Sequence, residues 1–249
     1  MKSADAASSR RFANRVVSLA GREIGSLMTL LAMAGLVVVF GSLTVAVLGG
    51  GTDSFDRAVM LALRVEGHPA DPIGPVWLVE AARDVTALGS YTFIAIVLFA
   101  VTVYLVLLRN RPAALLIAAA VLGGMALSTL IKLAVDRPRP EIPHIVRVVT
   151  ASFPSGHALL SAIVFLTLGA LLTRLHEGRR IKIYFMSLAI VLTTMVGLSR
   201  IFLGVHHPTD VFAGWAIGAA WAILCWTITL RLQQTGEVSS PDASRADPR

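Results

Sequence analysis

Six uncharged apolar stretches divide the chain, at residues 24–52, 85–108, 112–131, 158–173, 183–199 and 211–230. A helix of about 20 apolar residues crosses roughly 30 Å of hydrocarbon, and inside hydrocarbon a backbone pairs all its polar groups only as a helix or a closed barrel. The stretches at 158–173 and 183–199 are short for a span, which fits helices whose ends carry polar, working residues. With 55% of its 249 residues hydrophobic and 15% charged, the chain has little left over for a soluble domain. The sequence therefore predicts an all-α, six-transmembrane-helix bundle forming one domain at 24–232, without internal repeats. A basic cytoplasmic tail at 1–23 precedes it, an outer loop occupies 53–84, and a Ser/Pro/Asp/Arg-rich cytoplasmic tail at 233–249 is expected to be disordered.

Six spans place both termini on one side. Fourteen of the 22 Lys and Arg residues fall on that side and eight on the other. Because cytoplasmic loops carry the basic excess, both termini are expected in the cytoplasm, and the net charge of +7 is an orientation signal rather than a nucleic-acid footprint. Arg10-Arg11-Phe12 faintly resembles a twin-arginine export signal, but the apolar run that follows is too long for a signal-peptide core, so a retained first helix is expected. The single cysteine, Cys225, lies inside the last run, reads as a packing residue and has no partner for an intrachain disulfide. On the outer side, Arg57, Arg64, Arg83, Arg137 and Arg147 have acids close by (Asp56, Glu66, Asp84, Asp136 and Glu141) and read as ordinary solvated loop pairs.

The remaining polar residues fall into three clusters: Lys132 with Arg139-Pro140, then Pro154-Ser155-Gly156-His157, then Ser199-Arg200 with His206 and Asp210. The first ends the third span, the second opens the fourth, and the last joins the fifth to the sixth. Span counting therefore puts all three on the outer side. A charge at mid-membrane costs about 2.5–3.5 kcal/mol, so such residues usually mark function. Lys132, Arg139 and Arg200 supply three cations, two of them with planar forks matched to phosphate oxygens. Ser155 and Gly156 open a helix whose free N–H groups and dipole favour an anion; Ser155 alternatively serves only as an N-cap.

His206 and Asp210 stand four apart, with Pro208 a suitable first residue for the sixth helix. A carboxylate on one imidazole nitrogen fixes the tautomer and frees the other nitrogen to attack phosphorus, while His157 from another helix can protonate the leaving oxygen. His207 competes with His206 on proximity, but spacing to Asp210 favours His206. His68, His144 and His176 read as loop residues. No His-Glu-x-x-His helix or acidic cluster suited to zinc or magnesium is present, so no metal and no cofactor is expected.

These residues resemble the three-part signature of the type 2 phosphatidic acid phosphatase superfamily. Lys132, six residues and Arg139-Pro140 resemble its first motif, Pro154 to His157 its second, and Ser199-Arg200, five residues, His206, three residues and Asp210 its third. The resemblance implies a helical core and a metal-independent reaction with a phosphohistidine on His206. It implies that His157 acts as acid and then base, that Asp210 supports His206, and that Lys132, Arg139, Ser155, Gly156 and Arg200 bind phosphate. Vanadium haloperoxidases share the signature but are soluble, and six spans argue against that branch. His207 departs from relatives that often carry an aromatic residue there.

The implied substrate is a membrane lipid phosphate, with undecaprenyl pyrophosphate and phosphatidylglycerophosphate foremost and phosphatidic acid or a lipid A phosphate behind them. The implied location is a bacterial inner membrane, with the site facing the periplasm or exterior. A lipid phosphotransferase and a non-enzymatic lipid transporter or binding scaffold are the rivals. The intact His157, His206 and Asp210 set argues against the scaffold, since binding an anion needs cations but no nucleophile.

Overall fold

The six apolar stretches become largely helix: four of the helices extend past their stretches into polar residues at one or both ends, α1 does so at its start but stops at Leu48, and the stretch at 85–108 is broken at 88–90. The computed structural model describes residues 2–140 and 150–234, with side chains for 23–140 and 150–232. His144, Arg147, Glu141 and the tail beyond 234 lie outside the described residues. The order is α1 (Lys2–Leu48), α2 (Asp53–Ala62), β1 (Arg64–Val65), β2 (His68–Pro72), α3 (Val76–Ala87), α4 (Tyr91–Leu107), α5 (Arg111–Val135), α6 (Gly156–Arg174), α7 (Arg179–Phe202) and α8 (Pro208–Gln234). Among the described residues five helices are long and apolar enough to cross a membrane, and six spans result if α3 and α4, bent by 45°, count as one. The fold is a helical membrane bundle.

Three segments differ from the sequence reading. Residues 2–23 continue α1 as helix rather than preceding it as a tail. The expected outer loop at 53–84 folds into α2, a two-stranded antiparallel hairpin and most of α3, the hairpin being the one departure from an all-α chain among the described residues. The second span also begins earlier than its uncharged run. Glu80, Arg83 and Asp84 interrupt the apolar pattern there, yet they face outward while Val79 and Ala82 pack against Leu203 and Val205. The α3 helix is thus amphipathic, and hydropathy alone reads it as loop. It stops at Leu88-Gly89, and Ser90 caps α4 by accepting from the Phe93 amide at 3.2 Å.

The buried core joins α4, α5 and α6 through Ile94, Ile117, Val121, Leu159, Leu160 and Ile163. Helices α6 and α8 approach closely. A Cβ on Gly214 would stand 2.7 Å from the Ser155 carbonyl oxygen and one on Gly218 2.5 Å from that of Leu159, so this Gly-x-x-x-Gly face is what lets the backbones meet. Lipid tails are as apolar as leucine, so helices in a membrane associate by such close packing rather than by a hydrophobic drive. That contact also sets the N-termini of α6 and α8 side by side: the Ser155 amide donates to the Asp210 carbonyl at 2.9 Å. Side chains turned away from the core are large and apolar, among them Val45, Phe99, Leu107 and Leu133, as a lipid-facing surface requires.

Candidate functional site

The C-terminal ends of α5 and α7 meet the N-terminal ends of α6 and α8 at one end of the bundle. Up-and-down connectivity gathers the three polar clusters there. Helix α5 delivers Lys132 in its last turn and stops at Asp136, whose positive φ of 41° turns the chain toward Arg137 and Arg139. Helix α6 presents Gly156 and His157 in its first turn, with Ser155 as N-cap accepting from the Ala158 amide at 3.4 Å. Ser155 therefore does act as a cap, and the first-turn amides of Gly156 and His157, which have no carbonyl four residues back, face the cluster with the positive end of the dipole. Helix α7 ends with Arg200, and Asp210 sits in the first turn of α8.

The three cations are held by neighbouring oxygens, mostly backbone carbonyls. Lys132 Nζ donates to the Ala151 carbonyl at 2.6 Å. Arg139 donates through Nε to the Thr150 carbonyl at 2.9 Å, through Nη1 to that of Val205 at 2.6 Å, and through Nη2 to Thr150 Oγ1 at 3.2 Å. Arg200 Nη1 donates to Thr86 Oγ1 at 3.0 Å, while its Nε is buried without a partner among the described residues. Ser128, one turn before Lys132, has a buried hydroxyl that is likewise unpaired and lies beside Gly156. The electrostatic neighbours of His157 are Arg200, His206, Arg139 and Lys132, so both histidines and all three cations share one cluster. Burial lowers the pKa of His206 to about 3; Asp210 opposes this and Arg200 and Arg139 add to it. The ring is neutral at pH 7, with a lone pair to offer.

The link from His206 to Asp210 differs from the expected direct bond. Nδ1 lies 3.6 Å from Asp210 Oδ2, beyond direct hydrogen-bond reach. Ser152 spans the gap, its hydroxyl 3.5 Å from Nδ1 and donating to Oδ2. This chain gives Nδ1 the proton and leaves Nε2 to accept, with Arg139 Nη1 3.3 Å from it. His207 is closer to the carboxylate than His206 is: its amide donates to Oδ2 at 2.9 Å and its Nδ1 lies at 3.2 Å. His206 is 2% exposed and His207 18%, which leaves His207 at the rim and His206 inside the cluster.

Three residues read as members of solvated pairs, Arg137, Arg64 and Asp56, are instead buried. Arg137 is 8% exposed and Asp56 1%; Arg137 bonds Asp210 Oδ1 at 2.7 Å and Asp56 Oδ2 at 2.8 Å. Arg64, 6% exposed, donates to the carbonyls of Leu63 and Phe202, tying the hairpin to the end of α7. Nearness of acid and base along the chain suggested solvated pairs, but Arg137 finds its acids, and Arg64 one of its two carbonyls, far off in sequence. Sequence reasoning also missed Ser152, Ser128, Thr86 and the α3–α4 break. A Cβ on Gly89 would lie 3.2 Å from His157 Cβ, and one on Gly156 would lie 3.2 Å from the Tyr91 hydroxyl, so the break forms a wall of the site. The apolar α2 face carrying one acid was the available signal for Asp56.

Comparison with known proteins gives a consistent picture. The profile of the PAP2 superfamily matches residues 113–234. Phosphatidylglycerophosphatase B of Bacillus subtilis is 28% identical over 184 residues, 74% of this chain and 87% of that protein. Decaprenylphosphoryl-5-phosphoribose phosphatase of Mycobacterium tuberculosis is 36% identical over 146 residues, 57% of this chain and 75% of that one. The crystal structure of a transmembrane PAP2-type phosphatidylglycerolphosphate phosphatase from Bacillus subtilis superposes with a TM-score of 0.73 at 26% identity, covering 80% of this chain and 96% of that one.

Proposed function

This chain belongs to the PAP2 superfamily and is an integral membrane lipid phosphatase; from that premise we propose that it removes a terminal phosphate through a phosphohistidine on His206 without a metal ion. The observation that carries the reading is the gathering of Lys132, Arg139, Arg200 and His206 around His157 in the first turn of α6, with Arg139 Nη1 3.3 Å from Nε2 of a buried His206. Such a cage neutralises phosphate charge as a metal would. Nε2 forms the N–P bond as the P–O bond to the lipid breaks, and protonated His157 gives its proton to the departing oxygen. Water then attacks phosphorus, His157 takes its proton, and the N–P bond breaks to release inorganic phosphate.

A lipid substrate is supported at Tyr91. Its hydroxyl lies against Gly156, and it lines an open apolar groove of about 620 Å³ with Thr92, Ala95, Ile96, Phe99 and Met125. The names of the relatives favour a diacylglycerol-type or polyprenyl-linked phosphate, and we place undecaprenyl pyrophosphate and phosphatidylglycerophosphate first, ahead of phosphatidic acid. We further propose that the site faces the periplasm or cell exterior, from span parity and the basic excess on the other side. With Cys225 replaced, a cysteine at Glu66 should react with a membrane-impermeant thiol reagent in intact cells and one at Gly178 should not; the reverse would invert the topology.

The direct assay is phosphate release from a lipid panel by the purified chain in detergent with EDTA. Turnover and competitive inhibition by vanadate, which resembles phosphorus under attack, are expected. Loss of activity on chelation, restored by one specific metal, would overturn the metal-free reading, and binding without release would favour a scaffold.

A further inference from the structure

Behind Asp210, five buried polar residues form a network that the proposed reaction does not use. Arg137 Nη1 donates to Asp210 Oδ1 at 2.7 Å and to Thr209 Oγ1 at 2.9 Å; its Nη2 donates to Asp56 Oδ2 at 2.8 Å and reaches Thr52 Oγ1 at 3.4 Å. Asp56 in turn accepts the Thr209 amide at 3.0 Å and the Thr209 hydroxyl at 2.6 Å. Thr52, Asp56, Arg137, Thr209 and Asp210 are all buried. The members come from α2 and the turn before it, from the link after α5, and from the first turn of α8.

We propose that Arg137 is a positioning residue for the nucleophile, and that Asp56 of α2 holds it in place, which makes this outer helix part of the machinery. The inference rests on the phosphohistidine reading above. A carboxylate turns about its last side-chain bond, and only one orientation presents Oδ2 to Ser152 and thereby to Nδ1 of His206. The bond from Arg137 to Oδ1 fixes that orientation. A guanidinium is suited to the task because its two ends point in fixed directions, one at Asp210 and the other at Asp56. Charge acts in the same sense. Arg137 stands between Asp210 at 2.7 Å and Asp56 at 2.8 Å, with the exposed Asp53 at 3.6 Å, so it offsets part of the carboxylate charge and leaves a net negative charge behind His206, the sign that favours the positive ring formed with the N–P bond. Arg137 meets Asp210 at Oδ1 while Ser152, which reaches His206, meets it at Oδ2, so Arg137 acts through Asp210.

The test is a double-mutant cycle on the full chain in detergent, with phosphatidic acid as substrate and EDTA present. Arg137→Gln should lower kcat by about 10- to 100-fold, as loss of an outer partner that orients a reactive group commonly does, while KM changes less than threefold. In the Asp210→Asn background the same substitution should cost less than threefold, because the group it positions is already neutral. Arg137→Lys, which keeps the charge and one of the two ends, should recover part of the loss. Should Arg137→Gln not fold, Asp56→Asn tests the same chain, with a smaller kcat loss that likewise vanishes in the Asp210→Asn background. An equal cost in both backgrounds would mean general structural damage, and a raised KM at unchanged kcat would mean direct phosphate contact; either overturns the proposal. A wild type that releases no phosphate would instead sink the functional reading and this inference with it.

Discussion

The two sides of His206 are built to opposite specifications. In front, Lys132, Arg139 and Arg200 stand together beside His157, and among the described residues Arg200 Nε and the nearby Ser128 hydroxyl have no partner. Behind, the carboxylates of Asp56 and Asp210 are met by Arg137, Thr209, Ser152 and the His207 amide. Buried unpaired donors and clustered like charges are costly, on the order of 1–3 kcal/mol for each unsatisfied group, so the front is complete only when an anion enters. The back is complete already, as suits a part that must not move. On the proposed reaction, binding falls to the front residues and orientation to the back ones, and substitutions should separate them.

The substitution that removes the meeting point of the two sides should have the largest effect. His206→Ala should lower turnover by at least about 10⁴-fold, because the attacking atom is lost, while vanadate still binds in the cage; steady-state kinetics and vanadate titration check both halves. His157→Ala should cost about 10²- to 10⁴-fold with a lipid phosphate. Part of that loss should return with a nitrophenyl phosphate, whose leaving group needs little protonation, whereas the His206 variant should gain nothing. Arg200→Gln breaks the front alone, and should lower kcat/KM by about 10²- to 10³-fold with a matching loss of vanadate affinity. That loss of binding is the opposite of the pattern expected at Arg137, and equal vanadate affinities in the two variants would dissolve the distinction between the sides.

The smallest expected effect concerns acid. Burial holds the His206 pKa near 3, below its unfolded value of about 6.5. The unfolded chain therefore takes up a proton that the native site refuses, and stability should fall as pH drops from about 6.5 toward 3. Thermal unfolding in detergent should show a shallower acid decline for His206→Asn than for the wild type; identical slopes would mean the ring is not held neutral.

The spans and the front of the site were legible in the sequence because each leaves a local mark: an uncharged run, or a charge set against its edge. Lys132 at the end of one run and His157 at the start of the next must share a side, whatever the packing. The back was not legible, because its bonds join residues distant in sequence. Asp136 next to Arg137 looks like a solvated pair, yet Arg137 turns to Asp56 and Asp210, 81 and 73 residues away. Helix α3 was hidden for a related reason: Glu80, Arg83 and Asp84 break the hydropathy of a helix that is apolar on one face only. Asp210 illustrates the limit of spacing arguments. Four residues back along α8 does lead to His206, but His207 lies closer, and the bridge through Ser152 depends on a segment more than 50 residues earlier.

That ambiguity between adjacent histidines makes one measurement decisive. Rapid mixing of the purified enzyme with a lipid phosphate labelled in its terminal phosphate, in EDTA, followed by quenching at high pH where phosphohistidine survives, would follow label onto the protein. The account predicts that label appears within a turnover in the wild type, is absent in His206→Ala, and persists in His207→Ala. Normal labelling of His206→Ala, with none in His207→Ala, would contradict it and move the nucleophile to the rim.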